Sequence, residues 1–124
     1  IRQWGNLAAL VAALYRGDLE LLGRSLQDVV AEPVRSVLIP GFDAVKAAAL
    51  AAGALGCSIS GSGPSLFALC ADLASAARVG KAMQSAFEQA GLAADLFLSR
   101  VNPDGPAVLD EETSPNQPAS GENA

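Results

Sequence analysis

Two short apolar runs parted by a glycine-rich break constrain this chain more than any other feature. Residues 56–60, Gly56-Cys57-Ser58-Ile59-Ser60, alternate with period two, and residues 66–71 form a second apolar run. Gly61-Ser62-Gly63-Pro64 stands between them. Strand-like runs punctuated by glycine and proline predict two strands joined by a turn. The fold must therefore include a piece of β-sheet, whatever the rest of the chain does.

The rest is mostly helical by pattern. Leu7, Leu10, Val11, Leu14 and Tyr15 follow the spacing of one apolar helix face. Gly17 suits a left-handed cap for that helix, and Asp18 suits the N-cap of a second one carrying Leu19, Leu22, Leu26, Val29 and Val30. The Gly-Asp turn predicts an antiparallel helix pair, with Pro33 ending its second member. Residues 43–52 are alanine-rich and read as a third helix stopped by Gly53. Asp72 opens a fourth, bearing Leu73, Ala76, Met83 and Phe87 and stopped by Gly91. Residues 92–99 alternate again and predict a third strand, and residues 106–110 a short fourth. The order ααα-ββ-α-ββ is α+β, with an antiparallel or mixed four-stranded sheet covered by helices on one face.

Composition then removes whole classes of function. Of the 124 residues, 51% are hydrophobic, which excludes wholesale disorder, and two cysteines cannot staple a mini-protein. The longest apolar run, residues 47–57, is far short of the roughly 20 residues that cross a bilayer, so no membrane association is expected. The net charge of −5 sits in the tail: residues 1–100 carry all eight Lys and Arg and eight of the 13 acids. With no basic stripe and few aromatics, nucleic-acid binding is not expected. No His is present, so a His-dependent catalytic triad within this chain is excluded. Residues 111–124 hold almost nothing apolar and are expected to be a disordered acidic tail, leaving residues 1–110 as the folded domain. The chain opens on Ile1 in what reads as mid-chain sequence, and is expected to be a piece of a longer protein.

Two segments could carry chemistry. In the first, Gly61 and Gly63 free the backbone, and the amides there, with Ser60 and Ser62, could line a concave nest for an anion or a partner loop. The alternative is a hairpin turn that merely needs glycine. The segment is no Walker-type loop, since it lacks a Gly-Lys-Ser/Thr ending and runs into a strand. The second segment is Ala31-Glu32-Pro33-Val34-Arg35-Ser36-Val37-Leu38-Ile39-Pro40-Gly41-Phe42, a connector restrained by two prolines. Arg35 there could bind a carboxylate bidentately. The alternative is a surface ion pair with Glu32 or Asp28. Cys57 and Cys70 sit in apolar strand contexts and read as core thiols. Trp4 could cover an interface or be ordinary core.

GCSISGSGPSLFALC resembles the third motif of the GHMP kinases, a family of small-molecule kinases. AEPVRSVLIPGF is similar to the connector of those members that phosphorylate homoserine, and NLAALVAALYRGDLELLGRSLQDVV resembles the helix pair before it. The resemblance implies a ferredoxin-like C-terminal domain, with the N-terminal ATP-binding domain absent from this chain. It implies that Arg35 binds the α-carboxylate of homoserine, and that Ser60, Gly61, Ser62 and Gly63 form a substrate-binding loop lying against the phosphate-binding loop of the missing domain. ATP and Mg²⁺ would serve the intact protein and would not be bound by this chain alone, which would supply no catalytic or metal-binding residue. A cytoplasmic enzyme of threonine biosynthesis is the expected parent, inactive in this fragment, and a homodimer is left open. Another GHMP kinase and a free-standing ferredoxin-like amino-acid-binding module are the competing readings.

Overall fold

A computed structural model describes residues 1–108 of the chain. In chain order its elements are α1 (Arg2–Arg16), α2 (Leu19–Ser25), α3 (Glu32–Arg35), a 3-10 turn (Ser36–Leu38), α4 (Phe42–Ala51), β1 (Gly56–Ile59), β2 (Leu66–Leu69) and α5 (Leu73–Gln89). The expected acidic tail, residues 111–124, lies outside the described residues, as do residues 109 and 110.

The helix boundaries follow local chemistry. Gly17 takes φ +65°, and its N–H reaches the carbonyls of Ala13 and Leu14. Asp18 then accepts the Leu21 N–H at 2.9 Å and starts α2. At α5 the Asp72 carboxylate accepts the Ser75 N–H at 2.7 Å, while Ser75 Oγ accepts the Asp72 N–H at 3.3 Å. This reciprocal cap holds the Asp72 carboxyl below its ordinary range, chiefly through the Ser75 backbone and side-chain hydrogen bonds.

The second helix is shorter than its apolar spacing predicts, ending at Ser25 with Leu26 as its cap. Asp28 takes over from there. Its carboxylate accepts the N–H groups of Val30, Ala31 and Glu32 at 2.8, 2.9 and 3.2 Å, which turns the chain out of the helix axis. Pro33 consequently does not end α2. It sits in the first turn of α3, where its missing N–H is not needed.

β1 and β2 pair antiparallel, with Cys57 opposite Ala68 and Ser58 opposite Phe67. Alternation separates the two faces. Cys57 joins Ala49 of α4 and Val79 of α5 in the buried core, and Leu66, Ala68, Cys70 and Met83 pack around them. On the opposite face Ser58 donates to Glu32, and Leu26 crowds Gly56 so closely that a Cβ there would come within 2.6 Å of its Cδ1. Helices and their connectors thus cover both faces of the sheet, where helices on one face were expected. The reason lies in β1 itself, which is buried on both sides, Gly56, Cys57 and Ser58 alike.

Two of the four expected strands are present among the described residues, in a two-stranded sheet. Residues 92–99 join no ladder. They run beside α5, with Gln84 Nε2 donating to the Ala94 carbonyl at 3.0 Å and Leu96 lying over Gly80, so the segment follows a helix without pairing to a strand. Residues 106–108 are likewise unpaired. The apolar stripe of α1 also departs from expectation: Ala13 is buried, whereas Leu7, Val11, Leu14 and Tyr15 of the stripe are exposed, as is Trp4. No helix among the described residues is long and apolar enough to cross a membrane.

Candidate functional site

The glycine loop is a hairpin closed at its base. The Ser60 N–H donates to the Ser65 carbonyl at 2.8 Å, and the Gly63 N–H donates back to Ser60 at 3.1 Å. Gly61 and Gly63 have φ of +60° and +79°, in the left-handed region that disfavours side chains. Among the described residues, the N–H groups of Gly61 and Ser62 have no hydrogen-bond partner, and both residues are exposed. Two adjacent donors at the tip of a hairpin can meet an anionic or hydroxyl oxygen. The loop is therefore a turn that needs glycine and, by the same backbone geometry, a presenter of free amides.

The connector reaches this loop through one residue. Ile39, just after the 3-10 turn, is buried, and its Cδ1 lies 3.1 Å from where a Cβ on Gly63 would stand. Ile59 Cγ2 closes the other side at 3.2 Å. Gly63 is thus a point at which connector and hairpin touch, and a side chain there would fit only if Ile39 and Ile59 gave way by a few tenths of an ångström. Arg35 precedes Ile39 by one helical turn, roughly 6–8 Å of rise.

Arg35 is exposed at the end of α3 and forms no ion pair among the described residues. Neither suggested surface partner holds it. Asp28 is spent on three backbone N–H groups; although partial burial pushes its carboxyl up, those donors and nearby Lys46 outweigh this and set it below its usual value. Glu32 is engaged elsewhere, with Oε1 accepting from Lys46 Nζ and Oε2 accepting from Ser58 Oγ at 2.6 Å. Lys46 also stands 5.7 Å from the centre of the Phe42 ring.

This Glu32–Lys46–Ser58 cluster escapes a reading of the sequence. One signal for it was present, since Lys46 is the sole cation within the alanine-rich α4. A groove of about 260 Å³ beside the cluster is lined by Asp28, Glu32, Lys46, Leu50 and Leu55 among others. Among the described residues no three Cys, Asp or Glu side chains converge to hold a metal.

The family model "GHMP kinases C terminal" matches residues 10–89, which include the connector and the glycine hairpin. The chain belongs to the GHMP kinases. Within this family it is similar to the homoserine kinase of Chloroherpeton thalassium, 56% identical over 110 residues, covering 88% of this chain and 34% of that protein. The homoserine kinase of Chlorobaculum tepidum is 54% identical over 110 residues, covering 87% of this chain and 34% of its own length. A crystal structure of homoserine kinase from Cytophaga hutchinsonii superposes with a TM-score of 0.80 at 56% identity, covering 82% of this chain and 32% of that one. This GHMP kinase chain spans about a third of the length of these relatives.

Proposed function

We propose that this chain is the C-terminal part of a homoserine kinase. The reaction moves the γ-phosphoryl group of ATP to the side-chain hydroxyl of L-homoserine: the hydroxyl oxygen bonds to phosphorus, the bond to ADP breaks, and the hydroxyl proton is lost. The product, O-phospho-L-homoserine, serves threonine biosynthesis in the cytoplasm. The observation that carries this reading is the contact of Ile39 with Gly63, which sets the Arg35 connector against the glycine hairpin.

In this reading Arg35 takes the substrate α-carboxylate in a two-point, charge-assisted contact. The hairpin Ser60-Gly61-Ser62-Gly63 bounds the other side of the substrate with its free amides. Holding the end remote from the reacting hydroxyl fixes which oxygen meets the phosphoryl group, and phosphoryl transfer depends chiefly on such positioning and on charge stabilisation. In this reading Mg-ATP is held by parts of the enzyme outside this chain.

The test is ADP release by the longer polypeptide that contains this chain, supplied in turn with homoserine, mevalonate and galactose. Homoserine should be preferred in kcat/KM by on the order of a hundredfold or more over galactose, which offers Arg35 no carboxylate, and also over mevalonate, whose carboxylate stands one carbon farther from the reacting hydroxyl and is misplaced when that hydroxyl is in line. Preference for either other alcohol would overturn the reading.

A further inference from the structure

Glu32 and Arg35 stand three residues apart on α3, a spacing at which opposite charges on a helix are neighbours and attract. A pair between them is what the local sequence favours. Yet Glu32 turns to the opposite partners: Lys46, 14 residues on in α4, and Ser58, 26 residues on in β1. The Glu32 side chain is 13% exposed and that of Lys46 24%, so water screens this pair less than it would a surface pair. Ser58 is itself buried, and the Phe42 ring lies beside the Lys46 ammonium. Both carboxylate oxygens of Glu32 are therefore occupied from outside its own helix, and Arg35 is left without a counter-ion among the described residues.

We propose that Lys46 is a positioning residue for substrate binding: by holding Glu32 together with Ser58, it keeps that carboxylate off Arg35, so that the guanidinium stays open to the carboxylate of an amino-acid substrate. This rests on the reading of Arg35 given above. Without Lys46, Glu32 would be a largely buried carboxylate lacking its cation, with Arg35 the cation on the same helix. An internal carboxylate on Arg35 would compete directly with the substrate's own.

The experiment is steady-state kinetics of the longer polypeptide, with homoserine and ATP varied separately. Lys46→Met should raise the KM for homoserine about fivefold, the upper range of what an exposed ion pair contributes, with a smaller effect on the KM for ATP. Lys46→Arg keeps the cation and should retain the original value. Lys46→Met combined with Glu32→Gln should bring the homoserine KM back to within about twofold, because a neutral amide still accepts from Ser58 but no longer holds Arg35. A merely structural role for Lys46 predicts the reverse, since the second substitution would add damage. If Lys46→Met is insoluble, Lys46→Gln carries the same expectations. An unchanged homoserine KM in the Lys46 variant, or a rise that persists in the double variant, overturns the proposal. Arg35→Ala run alongside separates the two levels. If it too leaves the homoserine KM unchanged, the reading of Arg35 has failed; if it raises that KM while Lys46→Met does not, only the shielding role has failed.

Discussion

Gly63→Ala and Gly61→Ala should differ, and the difference measures the contact on which the site is built. Both glycines have positive φ, +60° at Gly61 and +79° at Gly63, so an alanine at either costs about 1–2 kcal/mol of backbone strain. At Gly61 the cost ends there, because a Cβ would meet nothing within 4 Å. At Gly63 the same Cβ would meet Ile39 at 3.1 Å and Ile59 at 3.2 Å, and Ile39 is buried with little room to retreat. Overpacking of that kind adds about 1–3 kcal/mol. Gly61→Ala should therefore lose about 1–2 kcal/mol and Gly63→Ala about 2–5 kcal/mol, read by urea unfolding of the 124-residue chain. Ile39→Val removes the Cδ1 atom that stands closest, at a cost of about 0.5–1.5 kcal/mol by itself. Combined with Gly63→Ala it should cost less than the two changes separately, by about 0.5 kcal/mol or more. Equal losses for the two glycine variants, together with strict additivity for the Gly63–Ile39 pair, would refute the claim that connector and hairpin meet at this point.

Four further outcomes are expected. The isolated chain should release no ADP in a homoserine-dependent manner, checked by a coupled assay on repurified material; persistent turnover would place the nucleotide site within these residues. Cys57 should resist thiol reagents at pH 8 while Cys70 reacts sooner, because burial pushes the Cys57 thiol up to about 11 from an ordinary value near 9, and Cys70 is less buried. Since the unfolded Cys57 thiol ionises near 9 and the folded one only near 11, this group makes stability fall as pH rises across that window, and unfolding titrations from pH 8 to 11 should show the decline, with a Cys57→Ala variant falling less. Asp72→Ala should lower the Tm more than Asp72→Asn, because only the former removes every acceptor for the Ser75 N–H.

What could be read from the sequence was local. Gly17, Asp18 and Asp72 mark helix ends through bonds to residues within five positions, and the structure has each where its residue type demands. The hairpin was legible for the same reason, since glycines and a proline lie between two apolar runs. The early end of α2 was hidden because it depends on one carboxylate, Asp28, folding back on three N–H groups inside an apolar helix-like pattern. Residues 92–99 alternate as a strand would, yet period two does not identify a pairing partner, and Leu96 is accommodated over Gly80. Within the site, the glycine loop and Arg35 could be singled out by their motifs. Neither Ile39 against Gly63 nor Glu32 with Lys46 and Ser58 could be, because each joins residues 14 to 26 positions apart.

The central claim is that Arg35 and the glycine hairpin belong to one site for homoserine. It is tested most directly by the kinetics of Arg35→Ala in the longer polypeptide. Two charge-assisted hydrogen bonds at about 1.5–3 kcal/mol each predict a fall in kcat/KM for homoserine on the order of a hundredfold to ten-thousandfold, with the KM for ATP nearly unchanged. Arg35→Lys should recover part of it, keeping the charge and losing the two-point contact. Unaltered homoserine kinetics in Arg35→Ala, accompanied only by a lower Tm, would contradict the account and return Arg35 to an ordinary surface residue.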